Sequence, residues 1–124
     1  MMMLDTHVAV AAFEGRSGRW SAQAARLFDS GTVLLSPAVI LELELLHEIG
    51  RIRHGGKAIA RYLAEQLNIA VADERFSEVA DHALDFGFTR DPFDRLILAH
   101  AALLKARLLT HDRLLHVHYS RAIE

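Results

Sequence analysis

The chain has 124 residues and a mass of 13.9 kDa, enough for one compact core and too little for two. A content of 52% hydrophobic and 24% charged residues excludes a disordered scaffold, and the lack of cysteine excludes disulfide frameworks and Cys-ligated metal centres. The 14 Lys+Arg against 16 Asp+Glu leave a net charge of −2, which weakens any reading as a dedicated duplex-DNA binder. It leaves open a nucleic-acid enzyme whose acids are gathered around metal ions. No apolar run approaches the roughly 18–20 residues that span a bilayer, so no membrane association is expected. Asp5 interrupts the opening Met1-Met2-Met3-Leu4, which is not the front of a signal peptide. Together these features lead us to expect a soluble cytoplasmic protein.

In chain order, Met1 to Leu4 reads as a short buried strand ending at Asp5. Val8 to Glu14 then reads as a helix, stopped by Gly15 and an Arg16-Ser17-Gly18 turn. Trp20, Ala24, Leu27 and Phe28 recur at helical spacing, and Gly31 closes that segment. Thr32 to Leu35 is a four-residue apolar strand. Ser36-Pro37 carries the signature of an N-cap followed by proline at the first helical position, and the helix it opens ends at Gly50. Lys57 to Gln66 is a further helix, Ile69-Ala70-Val71 a strand, and Glu74 to Phe86 a helix capped by Gly87. Asp91-Pro92 opens another helix, and Leu108-Leu109-Thr110 is the last strand. Short apolar strands alternating with helices predict an α/β fold, a parallel sheet with helices on both faces. Residues 1–124 read as a single domain.

Four carboxylates fall where such a sheet concentrates chemistry. Asp5 follows the first strand, and Asp112 follows the last with only His111 after Thr110. Ligands of open parallel sheets bind beyond the carboxyl ends of the strands. Asp94 lies in the first turn of the helix opened by Asp91-Pro92, and Glu42 about a turn and a half into the helix opened by Ser36-Pro37. Acids so gathered repel one another unless a divalent cation neutralises them. Mg²⁺ and Mn²⁺ prefer carboxylate oxygens, and such ions suit phosphodiester hydrolysis.

These residues resemble a known family. Leu4-Asp5-Thr6-His7 is similar to the opening motif of PIN domains, and Ser36 with Glu42 and Gly50-Arg51-Ile52 to the second. Arg90-Asp91-Pro92-Phe93-Asp94-Arg95-Leu96-Ile97-Leu98-Ala99 resembles the third motif, and Leu109-Thr110-His111-Asp112-Arg113 the fourth. Order, spacing and length resemble a VapC-type ribonuclease toxin of a toxin–antitoxin pair. The resemblance implies a PIN-like three-layer α/β/α fold with a short, mostly parallel sheet. It also implies an Mg²⁺ or Mn²⁺ site, endonucleolytic cleavage of RNA, homodimerisation and inhibition by a small VapB-like antitoxin. Carried over by position, the catalytic and metal-holding acids are Asp5, Glu42, Asp94 and Asp112. Glu44 on the same helix competes with Glu42 for the second place.

Around these acids, Thr6 and Thr110 are placed to orient carboxylates or bind phosphate. Arg95 and Arg113 each follow a site acid by one residue and are candidates for phosphate contact. Arg51, Arg53 and Lys57 flank Gly55-Gly56 and form the densest basic stretch, a second candidate grip on RNA. Asp91 is explained by helix capping alone. His111, His116 and His118 invite a zinc reading, with His116 and His118 on one face of a strand, but nothing supplies a third ligand. A phosphotransferase with a nucleophilic Asp5 fails because position 7 is His rather than a second acid. The alternative that stands is a PIN-like module that binds RNA or protein without cutting.

Overall fold

A computed structural model describes residues 1–16 and 20–124; Ser17 and Gly18 of the expected turn lie outside the described residues. Among the described residues a five-stranded parallel sheet runs in the order β3-β2-β1-β4-β5. Strands β1 (Met2–Leu4), β2 (Val33–Leu35), β3 (Ala70–Val71), β4 (Arg107–Leu109) and β5 (Ala122–Ile123) alternate with helices. The helices are α1 (Thr6–Phe13), α2 (Ala22–Ser30), α3 (Pro37–Glu48), α4 (Gly56–Leu67), α5 (Phe76–Ala83), α6 (Pro92–Leu103) and α7 (Arg113–His118). The order moves one way from β1 to β3 and the other way from β1 to β5. Right-handed crossovers therefore place the two sets of helices on opposite faces, giving the expected three-layer α/β/α arrangement.

Strands β1, β2 and β4 are largely apolar without alternation because helices cover them on both faces, whereas edge strand β3 is exposed. Met2, Met3, Leu4, Leu35, Leu108 and Leu109 are fully buried, together with Leu43, Leu63, Ile97 and Leu98 from the covering helices. Burial of these side chains is the main favourable contribution to folding. The register pairs Leu4 with Leu109, so the chain leaves β1 and β4 side by side.

Most expected boundaries hold within a residue or two, because capping chemistry marks them. Ser21, Ser36, Asp91 and Asp112 each accept a backbone N–H at the start of a helix. After α3, Gly50 takes the left-handed turn at φ 80°. Three expectations need correction. The helix over Glu74 to Phe86 is shorter at both ends. Glu74 lies before it, and after Ala83 the N–H groups of Leu84, Asp85 and Phe86 bond three residues back, so the helix tightens and stops. Beyond Thr110 lie a further helix, α7, and a further strand, β5, that the apolar pattern did not reveal. His116 and His118 are therefore helical, and their side chains cannot share a strand face.

Helices α3 and α4 meet at Gly56. A Cβ on Gly56 would stand 2.3 Å from the backbone oxygen of Ile40, which has no room to move. Gly56→Ala is expected to cost about 1–3 kcal/mol in urea denaturation despite alanine's better helix propensity.

Candidate active site

The site begins with one buried carboxylate. Asp5 is 5% exposed and stands directly after β1. Its Oδ1 accepts the Thr6 N–H at 2.8 Å, and its Oδ2 accepts the hydroxyl of Thr110 at 2.6 Å. The Asp5 N–H in turn donates to the carbonyl of Leu109 at 3.0 Å. The ends of β1 and β4 are thus laced together by backbone and side chain. Thr110 also accepts the Asp112 N–H at 3.0 Å, so one buried hydroxyl links two of the four acids.

Glu42 is brought in by the neighbouring residue: the Thr6 hydroxyl donates to its Oε1. Glu44, two residues on, points elsewhere. Its Oε1 accepts the Gly56 N–H at 3.0 Å and serves as a side-chain cap for α4. The two glutamates that the sequence leaves in competition therefore face different neighbours. Asp94 sits in the first turn of α6, with Asp91 capping that helix through the N–H groups of Phe93 and Asp94. Asp112 caps α7 through the Leu114 N–H.

Electrostatics show how closely these groups converge. Burial pushes the Asp94 carboxyl up from 3.8 to about 7, reinforced by the charges of Asp91, Asp5, Glu42 and Asp112. Glu42 is raised as well, first by burial and then by Asp5 and Asp91, against the lowering hydrogen bond from Thr6. Asp94 thus lies in the field of Asp91, Asp5, Glu42 and Asp112, and Glu42 in that of Asp5 and Asp91. Among the described residues, no three acids or imidazoles already stand as a closed metal cage. The donors are nonetheless hard carboxylate oxygens, and the burial that raises Asp94, with the repulsion that adds to it, is what a divalent cation would offset.

The basic candidates are more scattered. Arg95 is bound to its own loop, its Nε donating to the Thr89 carbonyl at 2.8 Å. Arg113 is exposed at the start of α7. Arg51, Arg53 and His54 border a cavity of about 310 Å³ with Val10, Phe13 and Glu14. That contact is with the C-terminal half of α1, roughly 7–13 Å along the helix from Asp5 at 1.5 Å per residue. Lys57 is exposed in the first turn of α4. The three histidines diverge: His116 bonds the Thr110 carbonyl at 2.8 Å, His118 stacks on Phe88, and His111 lies against Trp20.

A group that the sequence reading overlooked ties the acid-bearing helices together. His100 on α6 is 2% exposed and bonded through both ring nitrogens. Its Nε2 meets Glu74 Oε1 at 2.8 Å and its Nδ1 meets Ser36 Oγ at 3.1 Å. The carboxylate accepts the hydrogen bond from Nε2–H, which leaves Nδ1 to accept one from the Ser36 hydroxyl. Ser36 is also the N-cap of α3, so one imidazole fixes the start of the Glu42 helix against the Asp94 helix. In the sequence a lone histidine among Ile97, Leu98 and Ala99 gives no hint of partners 26 and 64 residues away.

A doubly wound parallel sheet with carboxylates gathered at the carboxyl ends of β1 and β4 defines an α/β protein of the acid-site class. The chain belongs to the PIN domain family, whose match extends over residues 2–119. Its fold is similar to that of a chain of VapBC2 from Rickettsia felis bound to a promoter DNA fragment. That likeness has a TM-score of 0.69 at 18% identity, covering 99% of this chain and 96% of that one. It is likewise similar to a toxin–antitoxin complex from Klebsiella pneumoniae, with TM-score 0.68, 14% identity and coverage of 100% and 97%. VapBC-1 from nontypeable Haemophilus influenzae follows with TM-score 0.64, 20% identity and coverage of 91% and 87%. No curated protein sequence matches this chain.

The raised Asp94 carboxyl has a consequence for stability. The folded chain holds this proton more tightly than the unfolded chain, so its contribution is fully present below about pH 4 and is lost as pH rises through about 7. Asp94→Asn carries no such charge. Melted side by side in EDTA, wild type and variant should match near pH 4, and the variant should be the more stable by pH 8.

Proposed function

We propose that this chain is a metal-dependent endoribonuclease, a VapC-like toxin that hydrolyses RNA phosphodiester bonds and is neutralised by a small VapB-like antitoxin. The observation that carries this reading is the hydrogen-bonded gathering of acids at the ends of β1 and β4, with Asp5 held by Thr110 and the Thr6 N–H, Glu42 by the Thr6 hydroxyl and the Asp112 N–H by Thr110; the raised Asp94 carboxyl accompanies it. Functional sites are where such perturbation concentrates. Asp5, Glu42, Asp94 and Asp112 would hold Mg²⁺ or Mn²⁺. When bound, such an ion supplies charge neutralisation and a water of lowered pKa.

The chain's own residues prepare that chemistry. Thr110 and the Thr6 N–H hold Asp5 in one orientation, so it does not have to be ordered when substrate arrives. Thr6 does the same for Glu42. Asp94 would hold an ion in its deprotonated form, so its raised pKa would couple occupation of the site to pH near neutrality. Arg113, with Arg51, Arg53 and Lys57 further out, provides cations for the RNA backbone, and the likeness to a toxin–antitoxin complex from Klebsiella pneumoniae supports an antitoxin partner.

Association with a second copy is part of the same reading. Leu41 and Phe76, 55% and 72% exposed, lie at an apolar cleft of about 280 Å³ that also takes in Phe93 and Leu96. Exposed apolar side chains so grouped mark interaction surfaces. Sedimentation of the wild type at high micromolar concentration should show a dimer, and Phe76→Ser should shift it toward monomer.

The alternative, a silent RNA- or protein-binding module, is favoured by the lack of a preassembled three-donor cage among the described residues. One experiment separates the two: a panel of cellular RNAs incubated with Mg²⁺, with Mn²⁺ and with EDTA. Discrete cleavage in the metal arms only is the expected result. Asp94→Asn and Glu42→Gln should lower cleavage by at least about 10²-fold, as expected for loss of a site acid, whereas Glu44→Gln should cleave at close to the wild-type rate. Absent cleavage would leave the binding module, whereas cleavage that persists in EDTA would keep a nuclease and remove the metal site.

A further inference from the structure

Beside the acids runs a short series of aromatic rings that the chemistry above does not use. Trp20 and His111 lie with their planes 7° apart and their centroids 6.1 Å apart. His7 follows at 5.6 Å from His111, tilted by 39°. Phe28 backs Trp20 at 5.6 Å and anchors it to the core. The series leads to the site: His7 Nδ1 is 3.5 Å from Asp5 Oδ2, and His111 directly precedes Asp112.

These rings are fixed but not buried. The backbone N–H of His111 donates to His7 Nε2 at 3.0 Å, which holds both imidazoles in place across the β1 and β4 ends. The His7 side chain is nevertheless 45% exposed, His111 is exposed, and Trp20 is half-buried. A purely structural aromatic cluster would be expected inside the core, whereas π-faces held at the edge of an acid cluster suit a ligand with π-faces of its own.

We propose that Trp20, His111 and His7 form a nucleobase-stacking subsite that delivers single-stranded RNA to the acids. The proposal rests on the nuclease reading and names how that site holds its substrate. A chain of net charge −2 with converging carboxylates gains little from phosphate attraction at this point. Base–aromatic stacking does not depend on net charge and accepts any base. Ring steps of 5.6 to 6.1 Å exceed the roughly 3.4 Å per nucleotide of a duplex strand, so they suit bases splayed apart in a single strand.

Trp20 is the chain's one tryptophan, so its fluorescence reports the subsite directly. The Asp94→Asn chain, with Mg²⁺ present, is titrated with single-stranded hexa-adenylate RNA and with an abasic ribose-phosphate oligomer of equal length. We expect saturable quenching by hexa-adenylate and none by the abasic oligomer. In the same background His111→Ala, an exposed change, should weaken binding of a dye-labelled hexa-adenylate by about 5- to 100-fold, as should Trp20→Ala, while Trp20→Phe retains it. Circular dichroism controls for folding, and His111→Ala keeps the test valid should Trp20→Ala unfold. Equal binding of the two oligomers, or an unchanged affinity in His111→Ala, overturns the subsite. Wild-type cleavage is assayed separately. Cleavage without quenching sinks the subsite alone, whereas quenching without cleavage supports the subsite and removes the nuclease reading.

Discussion

The hydrogen bond from Thr110 to Asp5 is the contact on which the arrangement turns. A carboxylate at the edge of a dry core is costly unless its oxygens are satisfied. Here one oxygen is met by the next backbone N–H and the other by a hydroxyl from the adjacent strand. That second bond spans 105 residues of sequence, and it exists only because β1 and β4 are neighbours in register. The reversal of strand order at this place opens the sheet edge, and the same reversal supplies the donor that makes a buried acid tolerable there. Thr6 extends the network to Glu42, and Thr110 extends it to the backbone of Asp112.

A second constraint acts across the helices. His100 joins the cap of α3 to the segment before α5, and Glu44 joins α3 to the start of α4. Helix α3 is therefore held by polar contacts at its start and past its middle, while Leu43 turns inward and Glu42 toward Thr6. Rotating this helix would break a buried hydrogen-bonded network, which is costlier than losing an exposed ion pair. The acids thus converge through packing and hydrogen bonds made elsewhere, against their own repulsion.

Much of this was legible in the sequence where chemistry is local. Ser36-Pro37 and Asp91-Pro92 state where helices begin, because an oxygen acceptor followed by proline satisfies the first turn. Four strands showed as apolar runs between such signals, three of them buried. Helix α7 and strand β5, with six residues and two, are shorter than the window in which periodicity accumulates. They exist through tertiary contacts such as the Tyr119 hydroxyl on the Ala106 carbonyl. Glu42 and Glu44 could not be separated by spacing, since the distinction is made by the amide of Gly56, 12 residues beyond Glu44. The partners of His100 were hidden for the same reason.

The strands themselves set a length scale. At about 3.3 Å per residue, a three-residue strand carries the chain only about 10 Å from one edge of the sheet to the other. No side chain of β1, β2 or β4 is then more than a few bonds from the edge that bears the acids. Larger parallel sheets can absorb a misfit in one layer before it reaches the opposite end, but here a displaced Met3 or Leu108 is transmitted almost directly to Asp5 and Thr110. Variation in such a molecule is channelled to the helices and connections, and the sheet is left as an almost incompressible spacer between two packed layers.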